Sequence, residues 1–166
     1  MRTDKIYLIG FMGAGKSTVA RALGGRLAWR VEDLDALIET RERRPIADIF
    51  AREGEAYFRV LEQAVLTELL ALRHIVVATG GGTFVDPDNQ DLINRDGVSI
   101  WLDVSFDQVV ERLPLDGRRP LAPDRASMRV LFDARRSAYA FANLRLDARR
   151  APVGELVERI IDWVGS

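Results

Sequence analysis

Residues Gly10 to Ser17 read GFMGAGKS, which fits the pattern GxxxxGK[ST] and follows directly on the apolar run Ile6-Tyr7-Leu8-Ile9. Residue types in this order suit a phosphate cradle. Gly10, Gly13 and Gly15 admit backbone angles closed to other residues, so that consecutive N–H groups can point inward, and a helix starting near Lys16 adds the positive end of its dipole. A lysine at position 16 is set to reach β- and γ-phosphates and the Ser17 hydroxyl to ligate Mg²⁺. The chain has only two lysines, Lys5 and Lys16, and one of them occupies the required position.

Four further clusters offer chemistry. Asp33-Leu34-Asp35 follows a short strand-like segment. In an extended chain its two carboxylates share one side, where one can serve Mg²⁺ and the other can take a proton from a hydroxyl. The same Asp35, ahead of Ala36-Leu37-Ile38-Glu39, also suits a helix N-cap. Arg59 and Glu62 stand three apart on a helical pattern. They form either an ordinary intrahelical ion pair or a rigid guanidinium fork for a ligand carboxylate. Thr79-Gly80-Gly81-Gly82-Thr83 places three glycines in a row after a strand, which favours close backbone approach to a ligand. Of the remaining arginines, Arg119 in the segment PLDGRRPLAP (114–123) stands out, because a hinged arginine closing over a transferring phosphate excludes water and neutralises charge.

Holding these groups together requires a scaffold. Apolar runs at 6–9, 75–78 and 98–102, with weaker ones at 29–31 and 144–146, alternate with helical patterns at 16–27, 35–43, 46–52, 55–72, 87–95, 106–113, 127–141 and 153–164. Strands that are apolar throughout, separated by helices, predict an α/β fold with a parallel sheet covered on both faces. One domain over 1–166 is expected, with a substrate-binding region at about 33–62 and a mobile lid at about 112–124. Mean hydropathy is −0.06 and no apolar stretch reaches membrane-spanning length. A net charge of −1 argues against a nucleic-acid partner, and the chain has no cysteine, which excludes disulfides and thiolate metal sites. With no signal-like segment ahead of the first strand, a cytoplasmic location is expected.

Taken together, GFMGAGKST at 10–18, DLD at 33–35, GExxFRxxE at 54–62, TGGG at 79–82, RPL at 119–121, RxxxY at 135–139 and RRxP at 149–152 resemble the shikimate kinase family over essentially the whole chain. The resemblance implies a three-layer αβα P-loop kinase with a central five-stranded parallel sheet, acting as a monomer on shikimate and ATP with Mg²⁺. It implies that Gly13, Ala14, Gly15, Lys16, Ser17 and Thr18 contact the nucleotide, with Arg112 and Pro152 flanking adenine. Ser17 would ligate the metal and Asp33 would hold it through water. Asp35 would bind ring hydroxyls as candidate base, Arg59 and Arg135 the substrate carboxylate, and Gly81 and Gly82 would complete the pocket. Arg119 would bridge substrate and γ-phosphate.

Two departures from the family pattern stand out. Arg43-Arg44-Pro45 replaces a usual glycine, and Ser137-Ala138 replaces Pro-Leu before Tyr139, which leaves the choice between Arg135 and Arg136 open. A gluconate-type or nucleotide kinase, or a non-catalytic ligand sensor, would share the scaffold. The FRxxE and GGG segments argue against the first, and retention of every catalytic candidate argues against the second.

Overall fold

Five strands run parallel in the order β2-β3-β1-β4-β5, with β1 Lys5–Ile9, β2 Arg30–Asp33, β3 Ile75–Ala78, β4 Val98–Asp103 and β5 Leu144–Asp147. The computed structural model describes residues 1–113 and 124–166. The expected lid segment 114–123, with Arg118 and Arg119, lies outside the described residues. Every residue of β1 and β3 is buried, so both faces of the sheet are covered, as their unbroken apolar runs require. The helices are α1 Lys16–Leu27, α2 Leu34–Glu42, α3 Ile46–Leu69, α4 Pro87–Asp96, α5 Phe106–Arg112, α6 Arg125–Tyr139 and α7 Val153–Gly165.

The strand order decides where the chemistry collects. β1 is central, flanked by β3 and β4, so the loops leaving β1 and β3 open at the same edge of the sheet. Thr79, just past β3, bonds back to the Leu8 carbonyl through both its N–H (3.2 Å) and its hydroxyl (2.8 Å). Asp33 is in register with Ala78, and Ala78 with Leu8, so the DLD segment, the glycine run and the phosphate loop emerge side by side. At the opposite edge Lys5, wholly buried, pairs with Asp96 at 2.6 Å and donates to the Leu69 carbonyl, while Tyr7 donates to Asp96 at 2.6 Å. A buried ammonium is tolerated there because its donors are met.

Two local expectations are corrected and one is borne out. The helices expected at 46–52 and 55–72 lie on either side of a kink at Gly54, whose φ of 85° and ψ of 172° no helix contains, although the second ends at Leu69. Asp35 is not the N-cap of α2. β2 ends at Asp33, whose carboxylate accepts from the Ala36 N–H at 3.1 Å, and this puts Asp35 inside the first turn. The two carboxylates therefore converge through a strand-to-helix corner rather than along an extended chain. Finally, α6 begins at Arg125, because Asp124 caps it by accepting from the Ser127 N–H at 2.7 Å.

Candidate active site

The phosphate loop has the backbone its glycines suggested. Gly13 and Gly15 sit at φ 77° and 95°, and Gly15 ends the loop as N-cap of α1, with no side chain of its own to occupy the helix's free N–H groups. Those donors face outward at the positive end of a twelve-residue helix, the arrangement that holds an anion. Lys16 is buried, and its ammonium donates to the Gly10 and Phe11 carbonyls at 2.6 and 2.9 Å. Beside it the Ser17 hydroxyl donates to Asp33 at 2.5 Å. Burial brings the Lys16 ammonium down to about 8, against support from the Asp35 charge, and burial pushes the Asp35 carboxyl up to about 6, against the pull of Lys16. Both groups are thus poised near neutrality.

Next to the loop lies a cavity of about 570 Å³ whose wall includes Asp35, Arg59, Glu62, Gly80, Gly81, Gly82 and Arg135. Helix α3 delivers Arg59 and Glu62 from consecutive turns, and Arg59 donates to Glu62 at 3.0 Å. Helix α6 delivers Arg135, which is 7% exposed and lies with its guanidinium 5.8 Å from the Phe11 ring centroid. Burial lowers its pKa, and the nearby Arg59 charge adds to that. Among the described residues no carboxylate ion-pairs with Arg135. Two arginines thus face one cavity, one of them buried without a counter-ion among the described residues. Arg136, by contrast, turns away to Asp103.

The three glycines each give way to one of these side chains. A Cβ on Gly80 would lie 2.8 Å from an Asp35 carboxylate oxygen, one on Gly81 2.9 Å from the Arg135 guanidinium, and one on Gly82 would collide with the Arg59 guanidinium. The run of glycines is therefore a floor on which a carboxylate and two guanidiniums rest. Tyr139, one turn after Arg135, fixes that floor by donating to the Gly81 carbonyl at 2.5 Å.

A smaller cleft of about 210 Å³ on the other side of the loop is lined by Ala14, Gly15, Thr18, Arg112, Ala151 and Val153 among others. Arg112 donates to the Gly13 carbonyl at 3.0 Å. Pro152 is the N-cap of α7, and it is its neighbours Ala151 and Val153 that line the cleft.

This combination of sheet order, loop and cavity has close counterparts. The chain matches the family Shikimate kinase over residues 12–165. The chain belongs to the shikimate kinase family. It is 40% identical over 157 residues to a shikimate kinase of a Sulfurihydrogenibium species, covering 94% of this chain and 95% of that one. It is 44% identical over 144 residues to one from Thermosynechococcus vestitus, covering 85% and 78%. Among solved structures, the shikimate kinase of Acinetobacter baumannii in complex with shikimate superposes with a TM-score of 0.92 at 31% identity, covering 98% of this chain and 93% of that one. A gluconokinase from Sinorhizobium meliloti shares the fold, with a TM-score of 0.66 at 18% identity.

Within this family framework the cavity holds residues to which the motifs assigned no role. Met12, Ile46, Phe50 and Phe58 supply apolar wall, with the Phe50 and Phe58 ring centroids 4.8 Å apart and their planes tilted by 40°. Glu39 also lines the cavity, and one of its oxygens accepts from the Ile46 N–H at 3.0 Å. The signal for Glu39 was Pro45: a proline at the N-cap of α3 has no side-chain acceptor, so a carboxylate from α2 takes over the capping.

Proposed function

We propose that this chain transfers the γ-phosphoryl group of ATP to the 3-hydroxyl of shikimate, giving shikimate 3-phosphate and ADP, the step its family contributes to aromatic amino acid biosynthesis. The observation that carries the substrate reading is Arg135, buried beside Arg59 with no carboxylate partner among the described residues. Two forked donors in one cavity call for a planar carboxylate, which would relieve the repulsion between the cations and offset the desolvation of Arg135.

Phosphoryl transfer asks little covalent chemistry of the protein, so positioning and charge dominate. In our reading the carboxylate end of shikimate is anchored by Arg59 and Arg135, which points the ring hydroxyls at Asp35. Asp35, raised to about 6, is ionised near neutral pH and accepts the proton of the attacking hydroxyl. The oxygen then bonds to the γ-phosphorus as the bond to the β-bridging oxygen breaks. The Lys16 ammonium leaves the Gly10 and Phe11 carbonyls for the β- and γ-phosphate oxygens, and the loop N–H groups hold the leaving diphosphate.

The Ser17 hydroxyl and Asp33 carboxylate, 2.5 Å apart, are hard oxygen donors that suit Mg²⁺. Among the described residues no cluster of three acidic or histidine side chains could hold a metal alone, which fits an ion that takes its other ligands from phosphate and water. When bound, Mg²⁺ neutralises phosphate charge. Arg119 is assigned to bridge the phosphates from the lid, and Arg112 and Pro152 to flank adenine. A single domain acting as a monomer on small charged metabolites in the cytoplasm fits this chemistry. No helix among the described residues is long and apolar enough to cross a membrane.

Coupled ADP release, measured in parallel with shikimate, gluconate and AMP as acceptors, tests the reading. Turnover confined to shikimate is expected, with Lys16→Met folded but nearly inactive. Preference for gluconate or AMP, or turnover in the Lys16 variant near that of the parent, would overturn it.

A further inference from the structure

Thr83 closes the glycine run and takes no part in the chemistry described above. It is wholly buried, and its hydroxyl occupies a junction. It accepts from the Gly80 N–H at 3.0 Å and donates to Glu62 Oε2 at 2.8 Å. The direction of each bond is forced. A backbone N–H can only donate, so the hydroxyl oxygen accepts from Gly80 and the hydroxyl proton is left for the carboxylate. Glu62, 1% exposed, thereby has one oxygen on Thr83 and the other on Arg59. The Thr83 carbonyl is itself held by the buried amide of Asn89 at 3.0 Å. One end of this chain of bonds meets the floor on which Asp35 rests, since Gly80 lies against the Asp35 carboxylate, and the other meets Arg59.

We propose that Thr83 is a positioning residue for phosphoryl transfer: its hydroxyl ties the Gly80 backbone to the Glu62–Arg59 pair and so fixes the distance between the carboxylate clamp and the base. The proposal rests on the functional reading above, in which Arg59 binds the substrate carboxylate and Asp35 accepts the hydroxyl proton. A carboxylate held on one oxygen only can rotate and carry Arg59 with it. Loss of the hydroxyl also leaves the Gly80 N–H buried without an acceptor, which frees the glycine floor to shift. The hydrogen bonds of Thr83 found among the described residues run to Gly80, Glu62 and Asn89, none of which lines the cleft beside Ala14, Gly15 and Thr18, so the main effect falls on the substrate side.

The experiment compares steady-state kinetics of Thr83→Ser, Thr83→Ala and Thr83→Val with the parent protein, alongside thermal melts. Serine and alanine differ only in the hydroxyl, so this pair isolates it even if the valine variant fails to fold. Thr83→Ala is expected to raise the KM for shikimate about ten-fold or more while the KM for ATP stays within about two-fold, and Thr83→Ser to restore the shikimate KM. In combination with Arg59→Lys, the alanine effect should shrink, because both act on one clamp. Equal shikimate KM in the serine and alanine variants, or parallel changes in both KM values, would overturn the proposal and leave Thr83 a packing residue. A parent protein that does not phosphorylate shikimate would instead remove the functional reading, and this proposal with it, before any variant is compared.

Discussion

Arg136 donates to both oxygens of Asp103, at 2.6 and 3.3 Å, and this contact leaves its neighbour Arg135 as the arginine of α6 that lines the cavity. Adjacent helix residues point about 100° apart, so only one of the two can face inward. Asp103 is 4% exposed and also takes Arg145 at 2.5 Å, while the Arg136 guanidinium lies over the Trp101 ring at 5.0 Å. Arg136→Ala should therefore leave the shikimate KM near that of the parent and lower Tm by about 2–4 °C, the shift that loss of roughly 1 kcal/mol gives in a domain of this size. Arg135→Lys should do the opposite, raising KM with little change in Tm. Kinetics and melts on the two variants side by side decide the matter, and a larger KM effect at position 136 would reverse the assignment.

A bell-shaped pH dependence of kcat/KM for shikimate is expected, with limbs near the values of Asp35, about 6, and Lys16, about 8. Below the first the carboxyl is protonated and cannot accept the hydroxyl proton. Above the second the lysine loses the charge that faces the phosphates. The two groups support each other's charged forms, so the limbs belong to the pair. Asp35→Asn should lower kcat by about 10²-fold or more, abolish the acid limb in the residual activity and move the alkaline limb downward, because the ammonium loses its supporting charge. An acid limb surviving in that variant would remove Asp35 as the base.

Substitutions in the glycine floor should damage function far more than stability. The Cβ of Gly82→Ala meets the end of the flexible Arg59 side chain, and that of Gly80→Ala meets the Asp35 carboxylate at 2.8 Å. Side-chain ends can move aside without disturbing the sheet, but a displacement of about 1 Å at a reacting group can cost on the order of 10²-fold. Gly82→Ala is expected to act mainly on the shikimate KM, and Gly80→Ala mainly on kcat. Melting temperatures close to the parent's, together with this split, would bear the argument out, and a collapse of Tm would refute it.

Arg43 is the C-cap of α2 and sits at φ 56°, a left-handed conformation in which a β-carbon is unfavourable. Its N–H and that of Arg44 both return to the Glu39 carbonyl, so the geometry is fixed by the helix end rather than by the side chain. Arg43→Gly should raise stability by up to about 1 kcal/mol in urea titrations, with no change in KM, because the relieved strain exceeds the entropy that glycine adds to the unfolded chain. A loss of stability would show that the Arg43 side chain contributes more than its backbone costs.

Local signals carried much of this protein. The phosphate loop was legible because Gly10 to Ser17 satisfy a spacing that depends only on backbone angles and on one strand running into one helix. The parallel α/β class was legible because strands buried on both faces must be apolar throughout, as β1 and β3 are. The Arg59–Glu62 pair followed from helical spacing alone.

Tertiary structure decided the rest, wherever two local solutions were equally good. Asp33 rather than Asp35 caps α2 because pairing with β3 holds the strand to its last residue. Glu39 caps α3 across a turn because Pro45 offers no acceptor, and no pattern within α3 points to a carboxylate seven residues back. The choice between Arg135 and Arg136 rests on Asp103, more than thirty positions earlier, and the junction at Thr83 on Glu62, twenty-one positions away. Spacing along a chain sets which residues share a face, but which face turns inward depends on the partner that meets it, and those partners arrive only when the sheet is assembled.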